Sequence, residues 1–254
     1  MRLTHLLVLA PGLAYGATVK RIVGGEPAKL GQFPSLVSLT GAIEAKGSVY
    51  EFCGGALLNP TTVLTAAHCV EWNGRPPAVF NVRAGSLRFD KEGVSSTVAS
   101  YVQHPDYKDN NYDFAILKLT TPIEESKGLI EYARLPGNDD DPVAGSIATV
   151  AGWGLDSDSG YRRPDLYWVN VPVIDRKECA STYAARKTPI TEEEWCVEEK
   201  GGGKGDCDGD SGAPVYINNV VQGLVSWSQG CASAQWPSVY ARVSKAMPFI
   251  RAHL

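Results

Sequence analysis

The chain has 254 residues, with 24 basic and 28 acidic side chains, so its net charge is −4. This acidic balance is the opposite of what a nucleic-acid-binding surface needs, and we expect no nucleic-acid partner. The length suits one large domain or two smaller lobes that share a core. The six cysteines include no Cys-x-x-Cys pair and the four histidines are scattered, so no metal site is expected.

The N-terminal stretch MRLTHLLVLAPGLAYG, residues 1–16, has a basic start, a short apolar run, and the small residues Ala14 and Gly16 at its end. This pattern predicts a secretory signal peptide that is cleaved after Gly16. No other stretch approaches the roughly 20 apolar residues that a membrane helix needs. We therefore expect a secreted, extracellular protein without a membrane anchor, whose six cysteines form three disulfides.

Short runs rich in Val, Ile and Tyr follow one another along the rest of the chain, and turn residues rather than amphipathic helices separate them. This pattern predicts an antiparallel all-β fold, either a sandwich or a barrel. In chain order the runs are SLVSL, GGALL, TVLTAAH, FNVRAG, TVASYVQH, FAILKL, IATVAGWG, WVNVPVI, APVYI, VVQGLVSW and SVYARV.

Two segments are predicted to be helical. Asp175 is a candidate N-cap for RKECASTYAA, and Ser244 is a candidate N-cap for the C-terminal KAMPFIRAHL. Between the two sets of strands lies a polar, proline-bearing stretch, ARLPGNDDDPVAGS, residues 133–146. We expect this stretch to divide the chain into two β-lobes with a cleft between them.

The stretch KGDCDGDSGAP, residues 204–214, places three aspartates within five residues ahead of a serine. The spacing of the three acids is that of the first ligands in an EF-hand calcium loop. However, the glycine and the glutamate that such a loop needs at its sixth and twelfth positions are replaced by Ser211 and Ile217. The stretch is therefore either a solvated acidic turn or the surroundings of a nucleophilic serine.

Three separate strings supply the residue types of a nucleophilic catalyst: TAAHC with His68, NNYDFAILKL with Asp113 and GDSGAP with Ser211. A serine hydroxyl is a poor nucleophile at neutral pH, so it needs an imidazole to accept its proton and a carboxylate to orient that imidazole. The chain order His, Asp, Ser differs from the orders in α/β-hydrolases and in subtilisin. Ala213 also breaks the Gly-x-Ser-x-Gly elbow of the α/β-hydrolases.

The motifs and their order make the sequence similar to the chymotrypsin/trypsin family of serine endopeptidases. The resemblance covers nearly all of residues 22–254 and rests on RIVGG, CGGALL, LTAAHC, YDFAILKL, AGWG, GDSGAP, SWSQGC and PSVYARV. It implies two antiparallel six-stranded β-barrels, an active site in the cleft between them, and a short C-terminal helix. It also implies that Ser211 is the nucleophile, His68 the general base and Asp113 its orienting carboxylate, with the backbone N–H groups of Gly209 and Ser211 as the oxyanion hole.

The resemblance further implies that the enzyme is made as a zymogen. Residues 17–21, ATVKR, would form a short propeptide with a dibasic end. Cleavage after Arg21 would free the amino group of Ile22, which would turn inward and pair with the carboxylate of Asp210. This pair would hold the oxyanion loop in its active conformation.

The same resemblance implies the disulfides Cys53–Cys69, Cys179–Cys196 and Cys207–Cys231. The stretch AGSLRFDKEGVSSTVASYVQHP is shorter than the calcium-binding loop of animal trypsins and lacks its paired glutamates, and this compact form is similar to fungal trypsin-like enzymes. We therefore expect neither a calcium requirement nor a cofactor.

The sequence departs from the trypsin pattern at the specificity pocket. Gly205 stands at the position of the acid that receives a substrate Lys or Arg, and an acid, Asp206, stands one place later. Ser228 and Ser238 stand where trypsins usually have glycines, so we expect a narrower and more polar pocket. Because a charge in such a pocket is costly unless it is paired, we predict cleavage after Lys or Arg. The alternative is a chymotrypsin-like, elastase-like or broad preference, with Asp206 protonated or bonded to its neighbours.

The segment SWSQG, which begins with Ser226 and Trp227, resembles the strand that pairs backbone to backbone with an extended substrate. Ser226 is expected to face Asp113. Two other features have ordinary interpretations: the acidic run EEEWCVEE, residues 192–199, is typical of a solvated face, and His104 is typical of a surface residue.

Together these features predict a secreted, monomeric serine endopeptidase that acts on protein or peptide substrates, with protein protease inhibitors as a further class of partner. The alternative is a non-catalytic homologue with the same fold that acts as a binding protein, since one fold can carry different functions. Such homologues usually lose a member of the catalytic triad, and none is missing from this sequence.

Overall fold

The computed structural model describes residues 22–42, 44, 46–71, 74–161 and 164–254. These residues form thirteen β-strands, two α-helices and two short 3₁₀ helices. The predicted signal peptide 1–16 and the predicted propeptide 17–21, which ends with Arg21, lie outside the described residues.

The first half of the chain forms a closed antiparallel barrel. The strands of this half are β1 (Glu26–Pro27), which lies outside the barrel, and β2 (Leu36–Ala42), β3 (Tyr50–Asn59), β4 (Thr62–Thr65), β5 (Val79–Ala84), β6 (Val94–Gln103) and β7 (Ala115–Leu119). Strands β2 to β7 close the barrel in the order β2-β3-β4-β7-β6-β5. The two-residue period is clearest in β5, where Phe80, Val82 and Ala84 are buried and the residues between them are half-buried, because one face of the strand lines the core.

The second half forms another antiparallel barrel. Its strands are β8 (Ile147–Gly152), β9 (Tyr167–Ile174), β10 (Glu194–Val197), β11 (Pro214–Ile217), β12 (Val220–Trp227) and β13 (Ser238–Arg242). They follow the order β9-β10-β13-β12-β11-β8, and pairing of β8 with β9 closes the ring. β1 pairs with β9 from outside this ring. The prediction of two antiparallel six-stranded barrels is thus confirmed.

The two barrels pack against each other through a shared apolar cluster. Leu64 and Phe114 of the first barrel meet Leu224 of the second barrel and Ile250 of the C-terminal helix in this cluster. β3 is buried along nearly its whole length because it lies between the core of its own barrel and the second barrel. The predicted dividing stretch 133–146 falls in the connection between β7 and β8.

Two α-helices occur in the described chain, α1 (Arg176–Ala184) and α2 (Met247–Ala252). Asp175 caps α1 by accepting hydrogen bonds from two backbone N–H groups of its first turn, as predicted. The prediction that Ser244 caps the C-terminal helix is wrong, because a 3₁₀ helix over Val243–Ala246 comes first. The buried Ser244 hydroxyl instead donates to the carbonyl of Asp140 in the connection between the barrels. None of the described helices has the length and apolar character that crossing a membrane requires.

Candidate active site

His68 lies on a short 3₁₀ helix, Ala67–Cys69, that follows β4 almost directly. The disulfide between Cys53 and Cys69 joins this helix to β3, with the two Cα atoms 6.2 Å apart. The Gln103 side chain at the end of β6 donates a hydrogen bond to the Ala67 carbonyl at 3.0 Å. The backbone that carries the imidazole is therefore held from two sides of the first barrel.

Asp113 ends the loop between β6 and β7, and the backbone of this loop is unusual. Asp109, Asn110 and Tyr112 have positive φ angles of 51°, 67° and 50°. Such angles are uncommon for residues other than glycine. The Phe114 N–H donates to the Tyr112 carbonyl at 2.7 Å, which closes a tight turn around Asp113. The turn directs the Asp113 side chain inward, where it is fully buried.

The Asp113 carboxylate accepts three hydrogen bonds. The backbone N–H of His68 donates to Oδ1 at 3.0 Å, and Nδ1 of the same residue lies 2.8 Å from Oδ2. The Ser226 hydroxyl donates to Oδ2 at 2.6 Å, so the expected contact between these two residues is present. These contacts fix the carboxylate between the two barrels, and the contact between Oδ2 and Nδ1 sets the orientation of the imidazole.

The imidazole of His68 is shaped by burial and by its acidic partner. Burial lowers the pKa of His68, but the charge of Asp113 and the hydrogen bond to it outweigh burial, so the pKa lies above its ordinary value. The His68 side chain is 31% exposed, against 0% for Asp113. The ring thus reaches the cleft while its partner is shielded, and with the proton on Nδ1 its Nε2 is free to act as a base.

Ser211 lies in a tight loop that its own backbone closes. The Asp210 N–H donates to the Cys207 carbonyl at 3.0 Å, and the Ala213 N–H donates to the Asp210 carbonyl at 3.0 Å. Gly212 has a φ of +72°, and a Cβ atom there would lie 2.4 Å from the Thr65 hydroxyl oxygen. Only glycine fits at this position, because the loop runs directly against the first barrel.

The loop is attached to both barrels around Ser211. The Gly54 N–H of β3 donates to the Ser211 carbonyl at 2.7 Å, and the Gly212 N–H donates to the Val225 carbonyl of β12 at 2.7 Å. No hydrogen bond joins the Ser211 hydroxyl to His68 among the described residues. The serine is nonetheless held between β3, which is disulfide-linked to the His68 helix, and β12, which carries the hydroxyl that binds Asp113.

The oxyanion loop presents two unused donors. In the described part of the chain, the backbone N–H groups of Gly209 and Ser211 have no hydrogen-bond acceptor. Gly209 has a φ of +102°, a conformation that glycine adopts readily and other residues rarely do. Two free N–H groups so close together can bind a developing oxygen anion.

Ile22 and Asp210, two of the residues that the sequence assigns to activation, are both buried. Asp210 is fully buried, and its carboxylate accepts hydrogen bonds from the N–H groups of Gly154 at 2.9 Å and Cys207 at 3.0 Å. Ile22 is fully buried as well. The next residue, Val23, pairs with Gly205, whose N–H donates to the Val23 carbonyl at 3.2 Å. The start of the described chain therefore runs alongside the loop that leads to Asp210.

The pocket residues Gly205, Asp206 and Ser238 come together as expected. Asp206 is only 3% exposed, and the Tyr240 hydroxyl donates to its Oδ1 at 2.7 Å. Burial raises the pKa of Asp206, and hydrogen bonds from Tyr240 and Ser238 offset this effect only in part. A Cβ atom on Gly205 would lie 3.8 Å from the Ser238 hydroxyl oxygen. No lysine or arginine of the described residues forms an ion pair with Asp206.

Two further residues that the sequence assigns to substrate binding, Trp227 and Ser228, lie at the end of β12 and directly after it. Trp227 is half-buried. The Ser228 hydroxyl donates to the Gly230 carbonyl at 3.1 Å and is thus used within its own turn. The Cys207–Cys231 disulfide joins this turn to the loop that carries Ser211.

Residues 22–250 match the family model described as Trypsin. Trypsin Blo t 3 of Blomia tropicalis is 35% identical over 234 residues, which cover 91% of this chain and 85% of the relative. Trypsin zeta of Drosophila melanogaster is 34% identical over 92% of this chain and 86% of the relative, and Trypsin II-P29 of Gallus gallus is 35% identical over 93% and 90%. This chain belongs to the trypsin family. As a member of this family it is a serine endopeptidase that acts on protein substrates.

The structure contains the three disulfides that the resemblance to the chymotrypsin/trypsin family implies. They join Cys53 to Cys69, Cys179 to Cys196 and Cys207 to Cys231. The sulfur atoms of the first pair lie within 4.8 Å of a His68 nitrogen, in a grouping that could suggest a metal site. Because both sulfurs are bonded to each other, neither is a thiolate ligand.

Two side chains are more buried than the sequence predicted. His104 is 9% exposed rather than a surface residue, and its ring stacks on Tyr112 with 4.5 Å between ring centroids. Glu194, within the acidic run 192–199, is 2% exposed rather than solvated, and it accepts a hydrogen bond from the Trp227 indole. One sequence signal could have indicated that Glu194 is buried, namely its spacing of two residues from Cys196. Residues two apart on a β-strand face the same side, and Cys196 is buried in a disulfide.

Proposed function

We propose that this trypsin-family endopeptidase is secreted as a zymogen and cleaves peptide bonds after Lys or Arg. The observation that carries the specificity is the buried Asp206, which has hydrogen-bond donors but no cationic partner among the described residues. A buried carboxylate without a counter-ion is costly, and a substrate ammonium or guanidinium group would supply the missing charge. The trypsin names of its relatives agree with this preference.

In the proposed mechanism, the Ser211 hydroxyl attacks the scissile carbonyl while Nε2 of His68 takes its proton. The buried Asp113 stabilises the resulting imidazolium, and the N–H groups of Gly209 and Ser211 bind the oxyanion. Removal of one such donor typically costs about 3 kcal/mol of barrier. His68 then protonates the leaving amine, and water releases the acyl group from Ser211 by the same steps in reverse.

Activation is proposed to follow cleavage after Arg21. The new amino group of Ile22 would then pair with the carboxylate of Asp210 inside the protein. The complete burial of both residues supports this pairing. Secretion is supported by the predicted signal peptide and by the three disulfides, which form in oxidising compartments.

A second specificity is favoured by one contact. The Tyr240 hydroxyl lies 2.7 Å from Asp206, and burial raises the pKa of this carboxyl. If Asp206 is protonated, the pocket is neutral, and the preference shifts toward uncharged side chains as in chymotrypsin-like or elastase-like enzymes. The two possibilities differ in the charge of one side chain, so a single substitution separates them.

The test is kcat/KM of the activated enzyme on peptides that differ only in the residue before the scissile bond, with Asp206→Asn as the variant. Asparagine keeps the size of the side chain and removes the charge. If Asp206 receives the substrate cation, we expect the Arg and Lys substrates to lose roughly 10²- to 10³-fold while Leu and Phe substrates change little.

The matched control is Asp208→Asn, which removes the same charge from an exposed position two residues later. Its effect on the Arg substrate should be small because solvent screens an exposed acid. A wild-type preference for Leu or Phe that Asp206→Asn leaves unchanged would overturn the Lys/Arg proposal.

A separate experiment tests catalysis itself. Labelling of Ser211 by an organophosphonate, absent in Ser211→Ala, would establish catalysis whatever the specificity. No labelling after activation would favour the non-catalytic homologue.

A further inference from the structure

Glu194 is a buried acid that the proposed mechanism does not use. It begins β10, where it pairs with Ala241 of β13, and it is only 2% exposed. Burial raises the pKa of its carboxyl, and hydrogen bonds offset this effect only in part. An acid at such a position is expensive to keep unless its oxygens have well-placed donors. Both oxygens of the Glu194 carboxylate must therefore have donors inside the protein.

Both carboxylate oxygens of Glu194 bind neutral donors. Oε1 accepts the Trp227 indole N–H at 2.8 Å. Oε2 accepts the Thr191 backbone N–H at 3.0 Å, with the Thr191 hydroxyl 3.3 Å away. No lysine or arginine of the described chain pairs with this carboxylate. One oxygen is thus devoted to the orientation of an indole ring.

Trp227 stands next to the catalytic centre. It directly follows Ser226, whose hydroxyl binds Asp113, and it is half-buried. The Tyr183 ring packs edge-on against its indole, with 4.8 Å between centroids. Two contacts therefore hold the indole: an apolar one from Tyr183 and a polar one from Glu194.

The segment that contains Glu194 also contacts the loop of the other barrel that carries Asp113. The Thr191 hydroxyl donates to the Asn111 side-chain oxygen at 2.7 Å, and the Tyr112 hydroxyl donates to Glu193 at 3.1 Å. These contacts connect the Trp227 indole, through Glu194 and Thr191, to residues adjacent to Asp113. This connection joins the segment that holds Trp227, in the second barrel, to the Asp113 loop of the first barrel.

We propose that Glu194 is a positioning residue that fixes the Trp227 indole and thereby shapes the cleft for substrate residues upstream of the scissile bond. Without an acceptor, the indole N–H would be buried and unpaired, which is unfavourable. The ring would then rotate to bring its N–H to water. The inference rests on the serine endopeptidase activity and not on the preference for Lys or Arg.

The test compares two substrates with the same residue before the scissile bond, one with four residues upstream of that bond and one with a single residue. Glu194→Met fills a similar volume but removes the acceptor. We expect the KM for the long substrate to rise about tenfold more than the KM for the short one, with a much smaller effect on kcat. Glu194→Gln keeps an oxygen that can accept the indole N–H, and it should restore most of the difference.

The matched control is Glu192→Met, the same substitution at a side chain that is 79% exposed. It should leave the ratio of the two KM values unchanged. In a Trp227→Phe background, which has no indole N–H, Glu194→Met should add no further change to that ratio. Equal losses on both substrates, or an additive effect in the Phe background, would overturn the proposal. Titration of Ser211 with an organophosphonate keeps a loss of catalytic centres distinct from a change in the cleft.

Discussion

At the scale of single residues, the proposed chemistry depends on how one buried carboxylate is held. Asp113 is fully buried, so its carboxylate needs hydrogen-bond donors inside the protein. Three donors meet this need: the backbone and ring of His68 and the hydroxyl of Ser226. Since Asp113 also raises the pKa of His68, the pair determines both the tautomer of the imidazole and the pH at which it becomes a base.

Asp113→Asn tests this relation. We expect kcat to fall roughly 10⁴-fold at neutral pH, because an amide does not stabilise the imidazolium. The His68 pKa is raised in the wild type, so the protonated, inactive form persists to higher pH, and kcat/KM should rise only as pH passes that pKa. The variant lacks the anion that raises it, so the midpoint of its pH profile should lie at lower pH.

The control for this profile is Asp106→Asn, because Asp106 lies in the same loop with a 71% exposed side chain. Its pH profile should match that of the wild type. An unchanged midpoint in Asp113→Asn would contradict the proposed coupling between the two triad residues.

At the scale of elements, the loop after β5 shows how a side chain organises a turn. Arg83 on β5 donates from Nε to the Phe89 carbonyl at 3.0 Å and from Nη1 to the Glu92 carbonyl. The Ser86 hydroxyl donates to the Lys91 carbonyl at 2.8 Å. Two carbonyls of this compact loop, those of Phe89 and Glu92, therefore face a guanidinium group, which is itself a cation. That this loop requires no calcium ion stays a prediction.

Arg83→Met keeps the aliphatic stem and removes the cation. We expect the free energy of unfolding to fall by about 2 kcal/mol, because two hydrogen bonds from a charged donor are lost. Thermal unfolding with and without EDTA is the measurement, and EDTA should leave the wild-type melting temperature unchanged. Lys91→Met is the control, since Lys91 is 58% exposed and forms only a 3.9 Å surface pair with Glu92. An EDTA-sensitive wild type would show that a metal ion organises the loop instead.

At the scale of the whole molecule, the site exists only where the two barrels meet. His68 and Asp113 belong to the first barrel, whereas Ser211 and Ser226 belong to the second. The Ser211 carbonyl is bound by β3, so the serine is placed by a strand of the other barrel. Any process that reorders the loop of Ser211 therefore changes the site without unfolding either barrel.

The proposed activation makes such a process testable. Ile22→Gly should lower kcat/KM of the cleaved enzyme by roughly 30- to 100-fold, because burial of an isoleucine side chain is worth about 2 to 3 kcal/mol. The unfolding temperature of the uncleaved precursor should change much less than the activity. The measurement pairs kcat/KM after cleavage at Arg21 with thermal unfolding before it.

Chemical acetylation supplies the control for activation. Acetylation before cleavage modifies lysines but leaves the later amino group of Ile22 free, and activity should persist. Acetylation of the new terminus itself should abolish most activity, because the amine can no longer carry a charge to Asp210. Full activity with a blocked terminus would contradict the activation model.

Several features could be predicted from the sequence because they are local. The strand pattern, the cap at Asp175 and the strings around His68, Asp113 and Ser211 each depend on a few neighbouring residues. The prediction that Ser244 caps the C-terminal helix was wrong because its hydroxyl binds the carbonyl of Asp140, more than a hundred positions away in the chain.

By itself, the sequence determined the kind of fold and the chemistry, since residue types and their order specify strands, nucleophile, base and acid. Only the tertiary structure decided which acids are buried. Glu192 and Glu194 belong to one acidic run, yet the Glu194 carboxylate accepts a hydrogen bond from the Trp227 indole whereas the Glu192 side chain is 79% exposed. The environment of a charge depends on what packs against it, and contacts between distant parts of the chain supply those neighbours.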